Sequence, residues 1–295
     1  MSNFAESIAA DKFVVTAEVG PPKGTDVAHL LEMAELLRDH VDAINVTDQQ
    51  SSVMMLGSLA VCHLLHQRGI EPVFQVTCRD RNRIALQSDL LSAAVLGIEN
   101  VLCLTGDYVT LGDHPQAKPV FDLDSVTLLR AVAALQEGHD LAGKPLRGVP
   151  AFFPGAVVSP GANPLGPQIA KMEKKVAAGA RFFQTQAVYD PAQFEAFVRR
   201  VEYLHVPILV GIILLKSAAM ARFMNRNVAG VNVPDGLIEE IGSVPRPDRP
   251  AKAVEIAARL IRDVKGMCQG VHVMTLGWER YVPQLLVESR LADEE

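Results

Sequence analysis

The sequence predicts a single (β/α)8 barrel, and two observations carry this prediction. Eight short apolar segments alternate with helical patterns at intervals of roughly 35 residues, an order typical of parallel α/β folds. The clearest segment, 101–104 (VLCL), has no polar alternation, as expected of a parallel strand that helices cover on both faces. With 295 residues and 49% hydrophobic content, the chain can bury one large core. We therefore predict one domain, residues 1–295.

Each predicted strand is followed by a predicted helix, often with its own start or stop signal. Gly69 and Gly97 end the second and third helices, Asp124 caps the fourth, and Pro191 opens the sixth. A helical and Pro-rich insertion, 233–249, precedes the eighth strand. The predicted strands are 13–19, 41–46, 72–76, 101–104, 148–153, 182–187, 207–214 and 270–276. The predicted helices are 26–37, 53–67, 84–96, 124–135, 169–178, 191–203, 217–227, 254–265 and 279–289.

Two long loops follow the fourth and fifth predicted strands, at 108–123 and 154–166. Loops of this length without regular structure are commonly functional, and the second contains three Pro and three Gly. In a barrel of this kind, the loops after the strand C-termini surround the active site. We therefore expect the second loop, 154–166, at the catalytic face.

Composition narrows the function classes. The formal net charge of −6 and the pI near 5.8 give no overall positive field of the kind that nucleic-acid or anionic-membrane binding needs. The N-terminus has no signal-peptide pattern, and no segment reaches the ~18 apolar residues of a membrane span. The four cysteines form no CxxC pair and stand in apolar patterns, which indicates buried reduced thiols and no metal site. We expect a soluble cytoplasmic enzyme.

Polar residues at the predicted C-terminal strand ends are the candidates for chemistry, because these ends converge at one mouth of the barrel. Thr47 and Thr77 could equally cap helix starts, and Asp107 could cap a turn. Glu18 has apolar sequence neighbours, and such surroundings favour the protonated carboxyl group that a general acid needs. The full set is Glu18, Thr47, Asp48, Thr77, Asp107, Gln186 and Lys216.

Several short motifs stand in a fixed order along the chain. They are EVGPP at 18–22, VT at 46–47, VTC at 76–78, LTGD at 104–107, KVAAGA at 175–180, TQ at 185–186 and GVHVMTL at 270–276. No single motif is decisive, but their order and spacing from about residue 12 to 290 resemble the methylenetetrahydrofolate reductase family. The resemblance implies a flavoprotein barrel that reduces 5,10-methylenetetrahydrofolate to 5-methyltetrahydrofolate, a step of one-carbon metabolism and methionine biosynthesis. FAD is the implied cofactor, with FMN possible, and NADH or NADPH the implied donor.

The resemblance also implies roles for individual residues. Glu18 matches the general acid that protonates a folate nitrogen, so that the methylene bridge opens to an iminium ion. Asp107 matches a carboxylate close to both flavin and pterin, and Gln186 matches a pterin contact. The implied cofactor-binding positions are Thr47, Gln75, Thr77, Thr105, Gly106, Asp107, Phe153 and Lys175.

The chain departs from the family pattern where charged residues are common. Gln75 and Ser159 stand where the family commonly has His, and Thr105 stands where it commonly has Arg. Leu214 replaces a Pro, and Val19-Gly20 replaces two aromatic residues. Because neutral hydrogen bonds are weaker than charge-assisted ones, we expect flavin to be held less firmly here.

The turn at 78–83 (CRDRNR) is unusually basic. Its three arginines, Arg79, Arg81 and Arg83, could hold a flavin phosphate or the glutamates of folate. They could equally form a solvated helix start. The sequence leaves both interpretations open.

Two other functions remain compatible with the sequence. One is a pterin-binding or methyl-transferring barrel without flavin. The other is a barrel subunit that docks on an electron-transfer partner and has no NAD(P)H activity alone. The sequence has no separate Rossmann GxGxxG motif, but this does not distinguish them, because the family binds nicotinamide over the flavin. Homo-oligomerisation is a further possibility.

Overall fold

Eight parallel strands close into a barrel in which each strand pairs with its neighbours in the chain and the last pairs with the first. The computed structural model describes residues 1–291; residues 292–295, which we assigned to the same domain, lie outside the described residues. The predicted (β/α)8 barrel is confirmed. The strands are β1 (Val14–Val19), β2 (Ala43–Val46), β3 (Pro72–Thr77), β4 (Asn100–Leu104), β5 (Phe153–Val158), β6 (Phe182–Ala187), β7 (Ile208–Ile213) and β8 (Gly270–Met274).

Helices surround the barrel and follow the strands as predicted. Asp124 caps its helix with a reciprocal capping box, and Asp190 caps the helix that Pro191 opens. The insertion before β8 contains one short helix and runs into a long one. The helices are α1 (Asn3–Ala9), α2 (Ala28–Leu37), α3 (Ser58–His66), α4 (Arg83–Val95), α5 (Ser125–Gln136), α6 (Gly166–Ala177), α7 (Pro191–Val201), α8 (Ala218–Asn227), α9 (Asp235–Gly242), α10 (Arg249–Val264) and α11 (Val282–Glu288).

Helix α1 was not predicted, and it packs against the N-terminal end of the barrel. Phe4 is fully buried there and meets the rings of Phe153 and Phe182 edge-on, at centroid distances of 6.0 and 5.2 Å. The hydroxyl of Ser2 donates to Asn100 Oδ1 at 2.6 Å at the start of β4. These contacts fix α1 across one end of the barrel interior.

The fifth strand is shifted from its predicted place. We predicted 148–153 and a loop from Pro154, but the strand is Phe153–Val158. Pro154 and Gly155 resemble a turn, yet both pair with β4 in the barrel. Glycine is required there because a Cβ on Gly155 would lie 2.2 Å from Cζ of Phe182. The predicted strand was therefore too early, and Phe153 opens β5 instead of ending it.

The cysteines are free thiols, as predicted. Cys62, Cys78 and Cys103 are buried, whereas Cys268 is only partly buried. Burial raises the pKa of the Cys78 thiol to about 12, so it stays protonated at neutral pH. None of the described helices combines the length and apolar character needed to cross a membrane.

Candidate functional site

A cavity of about 350 Å³ lies at the C-terminal end of the barrel. Its wall comes from β1, β3, β4, β5, β6 and β8, from the loops that follow β2 to β5, and from one face of α6. Parallel strands direct their C-terminal ends to this mouth, so side chains distant in sequence meet here. Within residues 1–291, no three His, Cys, Asp or Glu side chains converge as a metal site would require.

Glu18 lies in the cavity wall and is 8% exposed. The Gln75 carboxamide donates a hydrogen bond to Glu18 Oε1 at 3.0 Å, and His272 Nε2 lies 3.3 Å from the same oxygen. The prediction of apolar surroundings for Glu18 was therefore wrong, because its sequence neighbours point elsewhere and its contacts come from β3 and β8. Glu18 Oε2 has no hydrogen-bond partner within residues 1–291, which leaves this oxygen available to a ligand.

A buried polar cluster supports Glu18 from inside the barrel. His272 Nδ1 lies 2.8 Å from the Thr16 hydroxyl and 3.3 Å from Gln184 Nε2. Gln184 and Asn45 exchange two hydrogen bonds at 2.9 and 3.1 Å. All four residues are buried. The sequence analysis assigned none of them a role at the site, although polar residues at inward-facing positions of apolar strands were an available signal.

Asp48 organises the end of β3. Its Oδ2 accepts hydrogen bonds from the Thr77 backbone N–H at 2.8 Å and the Thr77 hydroxyl at 2.9 Å, and from Arg81 Nη2. Arg81 Nη1 also pairs with Asp89 at 3.0 Å. Thr77 is thus held by Asp48, and Arg81 is committed to two carboxylates.

The other arginines of the basic turn also have acidic partners. Arg79, 1% exposed, donates to the Asp80 carboxylate from Nε and Nη2 at 2.8–3.0 Å and lines the cavity. Arg83 is exposed and pairs with Asp122 at 2.8 Å. A solvated helix start therefore describes Arg83. It does not describe Arg79, which is buried, or Arg81, which is half-buried and pairs with two carboxylates.

The end of β4 forms one edge of the cavity. The Thr105 hydroxyl lies 3.2 Å from both the hydroxyl and the backbone nitrogen of Ser125. Gly106 has a φ of +94°, and a Cβ there would meet Thr77 and Arg79 at 3.0–3.1 Å, so glycine is needed for this close approach. Asp107 follows at the exposed rim, where its backbone carbonyl accepts a hydrogen bond from Ser52 at 3.2 Å.

Two lysines one helical turn apart on α6 line the opposite wall. Lys175 is buried, and its ammonium donates to the Val157 carbonyl at 2.6 Å. Burial, together with the nearby charge of Lys171, lowers the pKa of Lys175 to about 8. Lys171 is half-buried and has no ion pair among residues 1–291. Like charges at this spacing repel each other, so an anion bound beside them would be stabilised.

A sequence model of the methylenetetrahydrofolate reductase family matches residues 3–290, nearly the whole chain. The chain belongs to the methylenetetrahydrofolate reductase family. It is 27% identical over 265 residues to methylenetetrahydrofolate reductase 2 of Schizosaccharomyces pombe, covering 79% of this chain and 38% of that protein. It is 21% identical to a probable methylenetetrahydrofolate reductase (NADPH) of Caenorhabditis elegans, covering 83% of this chain and 35% of the relative. The chain thus matches little more than a third of the length of these relatives.

Solved structures with the same fold include two barrels of low sequence identity. An uncharacterized protein from Clostridium thermocellum that binds two copies of 5-methyl-5,6,7,8-tetrahydrofolic acid has a TM-score of 0.65 and 13% identity, covering 99% of this chain and 100% of that one. A 2,3-dimethylmalate lyase has a TM-score of 0.53 and 12% identity, covering 100% of this chain and 87% of that one. At these identities, the likeness shows the fold alone.

In this methylenetetrahydrofolate reductase family member, most predicted site residues line the cavity. They are Glu18, Gln75, Thr77, Thr105, Gly106, Asp107, Lys175 and Gln186. Asp48, a candidate because of its position at a strand end, also lines the cavity. Thr47 is buried against β1, where its backbone N–H donates to Val19 O at 3.3 Å, and it does not line the cavity. Lys216 lies over the Trp278 ring at 5.2 Å, also outside the cavity wall.

The position of Phe153 contradicts its predicted role. Because β5 starts at this residue, Phe153 lies at the N-terminal end of the barrel and stacks on Phe182 at 5.2 Å. It does not line the cavity. The residues that β5 and its following loop bring to the cavity are Val157, Val158 and Ser159.

Removing the Asp48 carboxylate tests how much its contacts at the end of β3 contribute to the free energy of unfolding. Asp48→Ala leaves Arg81 with one carboxylate and leaves two Thr77 donors without their acceptor. We expect the free energy of unfolding in urea to fall by about 3 kcal/mol, the scale of a broken buried ion pair. Asp122→Ala is the matched control, because it removes the partner of exposed Arg83 and should cost much less. Equal losses in the two variants would contradict this assignment.

Proposed function

We propose that this protein reduces 5,10-methylenetetrahydrofolate to 5-methyltetrahydrofolate, with Glu18 as the general acid. The observation that carries the proposal is the asymmetry of the Glu18 carboxyl group: Oε1 is flanked by Gln75 and His272, and Oε2 is available to a ligand in the cavity. Membership of the family supports the reaction. The Clostridium thermocellum barrel that binds 5-methyltetrahydrofolic acid supports the substrate class.

The reaction requires one proton and one hydride. The methylene carbon bridges N5 and N10 of the folate, and the bond to N10 breaks more readily once N10 receives a proton. Glu18 Oε2 supplies that proton, which leaves an iminium ion at N5. A hydride then adds to the methylene carbon and completes the methyl group. General-acid catalysis of this kind contributes about 10²–10⁴-fold.

Asp107 and Gln186 would act on the substrate itself. The Asp107 carboxylate is exposed at the rim and would become less hydrated when a ligand covers it. A negative charge there stabilises the cationic iminium ion more strongly as water is excluded. Gln186 Oε1 accepts the Ala187 N–H at 3.0 Å, and the carboxamide nitrogen of Gln186 would donate to a pterin edge.

The cavity wall fits a flavin. Gln168, Ser159 and the Gly106 backbone can meet the polar edge of a ring system, and Lys171 and Lys175 are the cations available to phosphate. The two lysines carry the strongest part of the fit, because their mutual repulsion and the lowered pKa of Lys175 are relieved by an anion. A bound FAD or FMN would supply the hydride, and would itself be reduced by NADH, NADPH or a partner subunit.

Replacing the proposed acid separates chemistry from folding. Glu18→Gln keeps an acceptor oxygen for Gln75 and His272 but has no proton of suitable acidity to release. We expect turnover of methylenetetrahydrofolate to fall about 10²–10⁴-fold with little change in thermal stability. Glu279→Gln is the control, since Glu279 is also buried but lies outside the cavity wall. Unchanged turnover of Glu18→Gln at saturating substrate would refute the role of Glu18.

Flavin titrations of the apoprotein test the lysine pair. Lys171→Met should weaken FMN and FAD binding about 10–100-fold, the worth of one charge-assisted hydrogen bond. Riboflavin has no phosphate and should bind both proteins alike. Because Lys175 has a pKa of about 8, its ammonium is lost as pH rises, and FMN affinity should fall about tenfold from pH 7 to pH 9. Equal effects on riboflavin and FMN would place the phosphate elsewhere.

One observation favours the flavin-free alternative. The Gln75 and Thr105 side chains, predicted to hold the cofactor, make hydrogen bonds to Glu18 and Ser125 in the protein. A barrel that binds folate without flavin would use its cavity in the same way for the pterin. Failure of both FMN and FAD to bind, with retained binding of 5-methyltetrahydrofolate, would favour this function over the flavoenzyme.

A further inference from the structure

His272 contacts Glu18 from inside the barrel, and the proposed function gives it no role. Its ring is 3% exposed, with Nε2 facing Glu18 Oε1 at 3.3 Å and Nδ1 facing Thr16 and Gln184. Both nitrogens therefore have partners, and those partners differ in chemistry. This difference determines which nitrogen carries the proton.

The groups around Nδ1 favour a ring nitrogen that accepts a hydrogen bond. The Gln184 nitrogen can only donate, and it lies 3.3 Å from Nδ1, 3.2 Å from Thr16 Oγ1 and 3.1 Å from Asn45 Oδ1. Because the Thr16 hydroxyl accepts from Gln184, its own hydrogen can point to Nδ1, 2.8 Å away. A proton on Nδ1 would face the donor group of Gln184. A neutral ring that accepts from Thr16 at Nδ1 and carries its proton on Nε2 fits these contacts and directs that proton toward Glu18.

We propose that His272 is a positioning residue, held by Thr16 and Gln184 as the neutral Nε2–H tautomer, which fixes the Glu18 carboxyl group while adding no positive charge. This inference rests on the proposed function of Glu18. A neutral donor restrains the carboxyl group, so that Oε2 stays directed to the cavity. A cation at the same place would favour the carboxylate and oppose proton donation. The tautomer therefore suits a neighbouring general acid.

The buried surroundings keep this arrangement in place. Thr16 lies on β1, Asn45 on β2, Gln184 on β6 and His272 on β8, so four strands contribute to one cluster. Gln75 on β3 restrains the same Glu18 oxygen. Rotating Glu18 away would leave His272 Nε2 without its polar partner inside the barrel, which is costly for a buried donor.

Nitrogen-15 NMR of the wild-type protein labelled at histidine tests the tautomer directly and needs neither flavin nor substrate. At pH 7 we expect His272 to show one protonated ring nitrogen, Nε2, whose proton signal shifts in Glu18→Gln. Assignment uses the resonance missing from His272→Gln. A proton on Nδ1, or on both nitrogens, overturns the proposal whatever the activity of the protein.

Kinetics test the positioning role. His272→Leu should lower kcat for methylenetetrahydrofolate about 10–100-fold with KM changed less than about threefold, because the ring acts through Glu18. His272→Gln keeps a neutral donor near the Nε2 position and should recover most of the loss. Thr16→Val should lower kcat about tenfold. Ser289→Ala, the control, removes another buried hydroxyl outside the cluster and should leave kcat unchanged.

The outcomes separate this inference from the proposed function. If the wild type converts methylenetetrahydrofolate and Glu18→Gln does not, but His272→Leu keeps full kcat, the positioning role is wrong and the general acid stands. If the wild type forms no 5-methyltetrahydrofolate, the proposed function fails, and the NMR spectrum still decides the tautomer. Should His272→Leu not fold, Thr16→Val and the spectrum decide the question: an unchanged kcat in Thr16→Val refutes the inference.

Discussion

One carboxylate oxygen, Glu18 Oε1, brings together three strands that are not all neighbours. Gln75 reaches it from β3 and His272 from β8, while Glu18 itself comes from β1. Only a closed barrel directs these three side chains into one interior. The buried amide pair of Asn45 and Gln184 then fills the space below, and Gln184 Nε2 lies 3.3 Å from His272 Nδ1. The available oxygen of Glu18 is thus a consequence of barrel closure.

The fold was predictable because its signals are local. Apolar runs, helix caps such as Asp124 and stop signals such as Gly97 each report on their own segment, and eight repeats of one pattern limit the topology. The prediction of the fifth strand failed because Pro154-Gly155 has the sequence of a turn. The glycine at position 155 is instead required by a long-range contact, because the Phe182 ring lies over it. That one shift also explains why Phe153 was assigned to the wrong end of the barrel.

The site was only partly predictable, for a related reason. Strand ends identify which residues reach the mouth, and Glu18, Asp107 and Gln186 do line the cavity. Ion pairs between residues that are distant in sequence cannot be identified from the positions of strand ends. Arg81 meets Asp48 across 33 positions of sequence, so the basic turn looked free to bind an anion when all three of its arginines pair with aspartates. The lysine pair on α6 is the better candidate, because neither lysine forms an ion pair within residues 1–291.

A crystal structure of the protein with 5-methyltetrahydrofolate tests the central claim most directly. The account predicts that the pterin lies between Asp107 and Gln186, and that Glu18 Oε2 meets N10 directly or through one water. Gln75 and His272 should remain on Oε1. A folate bound in the cavity with N10 out of reach of Glu18, or a Glu18 whose Oε2 has turned to His272, would contradict it.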